Sequence, residues 1–324
     1  MTASRWIVAV ASALLQTIAV STAGAADDYP NRPVTVVVPF PAAGGPDVVA
    51  RVLAGELSEK LGRSFVVDNR SGASGDIGAE SVVRSAPDGY TLVLGTPYPL
   101  MLNKLMVSKL PFDPSTDLVP ISLVGKSAHI FVALPNSPVG KLDALIAQAK
   151  SHPNLLSAGI PGVGTTSHLV IEALMNRVGG KMLIVPYRGT PPLADIANGL
   201  ISISVSLVSS YVPMVRDGSL RAIAVSTAHR DEELPDVPTI AESGFADFDF
   251  SAWLILAAPR GTPAPIIEKI NAAINDISSS ERWRSRLRSL GVEAASGSAE
   301  DAKAFIASER LKWAPVVKAA DIKM

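Results

Sequence analysis

The sequence predicts an α/β protein built as two lobes, on three observations. Short β-branched runs such as Val34-Thr35-Val36-Val37-Val38 alternate with stretches of helical spacing, as strands buried on both faces alternate with their crossover helices. A length of 324 residues leaves room for two cores. Hydrophobic residues make up 48% and aromatics only 5%, a balance of compact α/β proteins rather than of disordered chains. The formal net charge of −1 comes without a long basic run, so nucleic acid is not an expected partner. Cysteine is absent, which excludes disulfides, thiolate metal sites and cysteine nucleophiles.

Residues 1–26 read as a secretory signal peptide. Arg5 precedes an apolar run, Trp6 to Val20, broken only by Ser12, Gln16 and Thr17; the small residues Ser21 to Ala26 then offer a cleavage site after Ala25 or Ala26. Removing the segment takes away Arg5 and leaves 28 basic against 30 acidic residues. No later stretch approaches about 18 uninterrupted apolar residues, so the mature chain is expected to be a soluble periplasmic protein.

The first unit after the leader organises the rest. Val34 to Val38 is a strand, Pro39 to Pro46 a loop of small residues, and Val48, Val49, Val52, Leu53, Leu57 and Leu61 recur at helical spacing, with Asp47 as the expected N-cap. Such a loop leaves the first N–H groups of the helix pointing beyond the carboxyl end of the strand, where open α/β sheets bind ligands. An anion is the expected guest.

Ser64 to Asp68 reads as a second strand, delivering the loop Asn69-Arg70-Ser71-Gly72-Ala73-Ser74-Gly75 and a helix from about Asp76 to Arg84. Pro87-Asp88-Gly89 is a turn signal before strand Tyr90 to Leu94 and the loop Gly95-Thr96-Pro97. In a parallel sheet these three loops share one edge. Pro111 to Pro120 reads as an irregular connection, and a second α/β series starts near residue 127. Its expected strands are His129 to Leu134, Leu155 to Ala158, Met182 to Val185, Ile201 to Val208 and Leu220 to Val225; its helices are Leu142 to Ser151, Ser167 to Val178 and Pro191 to Ala197. Ile201 to Leu207 alternates strictly, so one face carries Ser202, Ser204 and Ser206, either towards a site or as a solvated face. After an irregular stretch from Asp231 come strand Trp253 to Ala257 and helices Pro263 to Ser279, Glu281 to Leu290 and Ala299 to Trp313. The second of these is basic on several faces and reads as exposed, with a docking surface as the lesser alternative.

Gly162-Val163-Gly164-Thr165-Thr166-Ser167 resembles a dinucleotide fingerprint, but Ser167 stands where the third glycine belongs and no acid is placed for a ribose. It reads better as a second loop entering a helix, with N–H groups and the hydroxyls of Thr165, Thr166 and Ser167 available to an oxyanion. Gly72-Ala73-Ser74-Gly75-Asp76 misses the nucleophile-elbow spacing, and no spacing selects a Ser/His/Asp triad. The four histidines are scattered without ligand spacing, and only His168 adjoins a candidate site. No metal, cofactor or catalytic residue is expected.

A set of stretches resembles one family in order along the mature chain: Tyr29-Pro30 to Phe40, Asp47 to Arg51, Asn69-Arg70 through Gly78-Ala79, Asp88 to Leu92, Asp113-Pro114 to Pro120, Gly164 to Leu169, Val185 to Gly189 and Leu234 to Thr239. The family is the substrate-binding proteins of tripartite tricarboxylate transporters, the Bug proteins. The resemblance implies a two-lobed periplasmic-binding-protein fold of type II, with residues 27–126 plus 249–324 as one lobe, 127–248 as the other, and a hinge crossed twice. It implies a small di-, tri- or aromatic carboxylate in the cleft, held by backbone N–H groups and waters rather than an arginine clamp. The residues carried over are Phe40, Ala43, Gly44, Ala73, Ser74 and Thr96 from the first lobe. From the second come Gly164, Thr165, Thr166, Ser167 and His168, with Ser206 on the strand beyond.

Two departures bear on the ligand. Ala43 stands where the family has a glycine before the first helix, and Ser206 where many relatives carry an acid that meets a ligand amino group. An unsubstituted or aromatic carboxylate is therefore expected over an amino acid. The implied role is a monomeric, non-enzymatic solute-binding protein serving membrane transporter subunits. A sensor reporting to a membrane signalling protein is the alternative, and a secreted serine hydrolase the more distant one.

Overall fold

The computed structural model describes residues 28–107, 109–187 and 192–322, so the signal-peptide reading and the Arg188-Gly189 match lie outside it. In chain order the strands are β1 (Val34–Val38), β2 (Phe65–Asn69), β3 (Thr91–Gly95), β4 (Leu118–Ala133), β5 (Ser157–Ile160), β6 (Leu183–Pro186), β7 (Ile203–Leu207), β8 (Arg221–Val225), β9 (Ser251–Pro259) and β10 (Glu293–Ala294). They follow the order β2-β1-β3-β9-β4-β7-β5-β6, with β8 and β10 each added on β4.

β1 lies between β2 and β3 and is parallel to both, so the three loops leaving them do share an edge. β9 then turns the sheet antiparallel, pairing with β3 on one side and with Leu118 to Ala128 of β4 on the other. Past Ala128 the same β4 changes company, pairing with β7 and β8. One 16-residue strand therefore belongs to both halves of the curled sheet. The stretch expected to be irregular, Leu118 to Pro120, is the start of β4; Pro120 is tolerated because the register shifts between it and Ser122. The chain returns at β9, and Ser226 ties the two crossings together by accepting the His129 N–H on its hydroxyl and the Phe250 N–H on its carbonyl.

The first half is covered by helices Gly45–Leu61, Ala264–Ser279 and Glu281–Arg288, whose Leu53, Leu57, Ile270, Ile274 and Trp283 pack on Val36, Leu92 and Leu256. The basic helix is thus anchored by Trp283 and Leu287, and its Arg282 pairs with Glu56 and Glu59. The last helix, Ala299–Ala320, runs a full two turns past Trp313 and packs against both β4 and the second-half helix Thr166–Val178. Trp313 and Val316 share one core with Leu169, Val170 and Leu174. Among the described residues no helix is long and apolar enough to cross a membrane.

Candidate functional site

A cavity of about 490 Å³ lies where the two halves face each other. Its floor is the shared stretch of β4 and β9, with Gly125, Ser127, Ala252, Trp253 and Leu254. One wall is the first helix and its loop, with Phe40, Ala43, Gly45, Pro46, Val48 and Val49, joined by Thr96 and Tyr98. Facing it are Thr165, Thr166 and Ser167 at one helix start, and Ser206, Ser209 and Ser210 at the end of β7. Among the described residues no charged side chain lines the cavity.

Two helix N-termini therefore open on one space from opposite sides. Gly45–Leu61 has 17 residues and Thr166–Val178 has 13, long enough for each to present a partial positive charge there.

The first loop uses its own donors, and this corrects the sequence reading. The helix begins at Gly45 with Gly44 as N-cap, so Asp47 lies within the first turn. Its buried carboxylate reaches back to accept the Ala43 N–H at 2.8 Å, together with Arg51 Nε at 3.0 Å and Asn69 Nδ2 at 2.9 Å. Burial pushes the Asp47 carboxyl up, but these hydrogen bonds outweigh it and hold the group below the usual carboxylate range. Ala43 adopts φ 64°, a left-handed conformation that explains the glycine usual there. The Gly44 N–H turns to the Pro41 carbonyl at 3.4 Å. Neither amide faces the cavity as a free donor.

Ala73 and Ser74, both at positive φ, do not line the cavity; the Ser74 carbonyl accepts from buried Asn103, which also bonds Asp76 at 2.6 Å. Thr96 does line it, is 8% exposed, and its Oγ1 has no hydrogen-bond partner among the described residues. Across the cleft, Thr165 is the N-cap, its hydroxyl donating to the Gly162 carbonyl at 2.7 Å and accepting the His168 N–H. Gly164 and His168 stand outside the lining because they satisfy each other, the Gly164 N–H donating to His168 Nδ1 at 3.2 Å. The Thr166 N–H meets the Tyr98 hydroxyl and the Thr166 hydroxyl meets His129 Nε2 at 2.8 Å. Ser167, like Thr165 and Thr166, lines the cavity.

The serine face of β7 is not solvated. Ser204 is fully buried on the Gly159 carbonyl and Tyr211, Ser202 bonds Ser157, and Ser206 alone of the three reaches the cavity, 3.4 Å from Ser210. Sequence reasoning missed Tyr98, Ser209, Ser210 and Trp253. The pair Ser209-Ser210 follows a strand end, as the other site loops do, and was the signal available; Trp253 read only as the start of a strand.

No serine, histidine and acid come together as a triad among the described residues: His168 Nε2 faces Glu172, while buried His129, its pKa pushed down by burial to about 4, faces Thr166. Nor does any group of three or more potential metal ligands occur there.

The model of the tripartite tricarboxylate transporter family receptor matches residues 49–322. Protein BugT of Bordetella pertussis is 35% identical over 320 residues, covering 98% of each chain. Among solved structures, R. palustris Rpa4515 with adipate is 36% identical with a TM-score of 0.79, covering 91% of this chain and 99% of that one. MatC from Rhodopseudomonas palustris with bound malate is 31% identical with a TM-score of 0.75, covering 89% and 100%.

Proposed function

Because the chain belongs to the tripartite tricarboxylate transporter receptor family, we propose that it captures a small carboxylate in the cleft and presents it to the membrane subunits of such a transporter. It does so in the periplasm, as a single chain released from a leader at residues 1–26. Residues 27–126 with 249–324 form one lobe on this reading, and 127–248 the other. The family is one of receptors, and the role asked of the site is binding and release rather than turnover.

The observation that carries the proposal is the pair of helix N-termini on a cavity that no charged side chain lines among the described residues. An anion there is held by partial charges and neutral donors, which suffice when several are preset. Thr96 Oγ1 is the first-lobe anchor: a buried hydroxyl lacking a partner is costly until a ligand supplies one. Ser167, Ser206, Ser209 and Ser210 are the donors opposite. Adipate and malate in two relatives' structures fit a carboxylate class.

The apolar share of the lining, with Phe40, Val48, Val49, Trp253 and Leu254, favours a ligand with a hydrocarbon or aromatic body. Ser206 offers no charge to a ligand amino group, so simple or aromatic acids are preferred over amino acids. Calorimetry on the mature chain tests this with adipate, benzoate and glutamate. Binding of the first two, lost in Thr96→Val, supports the reading; a response to glutamate alone overturns the ligand class.

A further inference from the structure

We infer that Tyr98 is a positioning residue that clasps the two lobes, acting on ligand affinity through the helix start at Thr166 rather than by touching the ligand. The inference rests on the cleft being the binding site.

Tyr98 follows β3 in the first half and Thr166 follows β5 in the second, so their contact spans the cleft. The Tyr98 hydroxyl accepts the Thr166 N–H at 2.5 Å and lies 3.5 Å from the Thr166 hydroxyl. That N–H belongs to the first residue of helix Thr166–Val178, a position with no partner inside its own helix. The tyrosine thus fills, from the opposite lobe, a bonding position the helix leaves open.

The contact does not stop at the cleft. The Thr166 hydroxyl lies 2.8 Å from His129 Nε2, and the His129 ring is completely buried, with its Nδ1 3.5 Å from the Ser226 hydroxyl. With the Ser226 proton committed to the Phe250 carbonyl, Nδ1 donates to the Ser226 oxygen, so Nε2 is the acceptor and Thr166 the donor. Ser226 joins the same group, accepting the His129 N–H at 3.0 Å and donating to the Phe250 carbonyl at 2.5 Å. His129 stands on β4 as it enters the second half, and Phe250 on the return into β9. One chain of hydrogen bonds therefore runs from the clasp to both hinge crossings. Closure that brings Tyr98 to Thr166 meets a helix start already fixed to the hinge.

A clasp has a signature that a ligand contact lacks. It changes the fraction of protein in the closed form, and apparent affinity scales with that fraction whatever the ligand. Tyr98→Phe is expected to weaken adipate and benzoate by the same factor, roughly tenfold for one lost interlobe hydrogen bond. Thr166→Pro removes the N–H donor at the first helical position, where proline is tolerated, and Thr165 already has the extended backbone that a following proline requires. Because it also removes the hydroxyl held by His129, it is expected to weaken both acids by at least as much as Tyr98→Phe and by the same factor for each, with no further loss when Tyr98→Phe is added to it.

The experiment is calorimetry of both acids on wild type, the two single variants and the double, with small-angle scattering of each protein without ligand. Equal losses for the two acids, a non-additive double variant and a larger radius of gyration support the clasp. A loss confined to one acid makes Tyr98 a ligand contact and overturns it, as does unchanged affinity in both variants. Should wild type bind neither acid, the carboxylate reading fails, and scattering still decides the clasp: an unchanged radius in both variants overturns it.

Discussion

Gly291 and Ser209 touch across the two lobes only because residue 291 is glycine. A Cβ placed there would lie 2.5 Å from the Ser209 Cβ and 3.0 Å from its Cα, and the φ of 67° is itself unfavourable to other residues. With Tyr98 and Thr166 at another point of the rim, this contact brings the lobes together around the cavity. Gly291→Ala is expected to cost about 1 kcal/mol of stability from backbone strain alone, read by urea unfolding. The larger effect is predicted in calorimetry, where carboxylate affinity falls because closure is blocked; unchanged affinity would show that the lobes need not meet there.

Asp47 holds the first loop by accepting from Ala43, Arg51 and Asn69 at once. Asp47→Ala leaves the Ala43 N–H and Asn69 amide without that partner and is expected to cost about 2–3 kcal/mol, as for hydrogen bonds to a charged group. Its folded pKa is depressed, so the stabilisation is fully present above the unfolded value and is lost as pH falls through the folded one. Urea titrations from pH 6 down to pH 3 should show wild type losing stability that Asp47→Asn does not have to lose. Parallel curves for the two would contradict the assignment.

Glu309 sets the floor of the cavity from behind. Its buried Oε2 accepts the indole N–H of Trp253 at 3.2 Å and of Trp313 at 2.9 Å, while Lys312 pairs with its other oxygen. Glu309→Gln keeps an acceptor for the indoles, and Glu309→Ala keeps none, so the alanine variant should be the less stable by about 1–3 kcal/mol. It should also shift tryptophan emission and weaken ligand binding through the freed Trp253 ring. Equal behaviour of the two variants would remove Glu309 from the account.

Ser206 lines the cavity without charge. Ser206→Asp introduces a like charge towards a bound carboxylate and is expected to weaken adipate at least tenfold. Affinity for an amino-bearing acid should fall less or rise. A uniform loss for both ligands would mean that position 206 does not read the ligand's substituents.

Much of this architecture was legible in the chain because its signals are local. The buried run Val34 to Val38, the helical spacing after Asp47 and the capped helix at Thr165 each declare themselves within a few residues. The long antiparallel pairing of β4 with β9 did not, since it joins residues more than a hundred positions apart and starts at a proline. The site was legible as a set of loops but not as a set of donors. Whether an N–H faces a ligand depends on what its neighbours accept, and Asp47 takes Ala43 just as His168 takes Gly164. Tyr98 was missed because its role comes from a partner on the other lobe, which no periodicity reveals.

The most direct test of the account is the affinity of the mature wild type and Thr96→Val for adipate, measured side by side by calorimetry. Binding by the wild type with a loss of about tenfold or more in the variant is expected, because the buried Thr96 hydroxyl would lose its ligand partner. Equal affinity in the two proteins would contradict the site, and no binding of any mono-, di- or aromatic carboxylate by wild type would contradict the function.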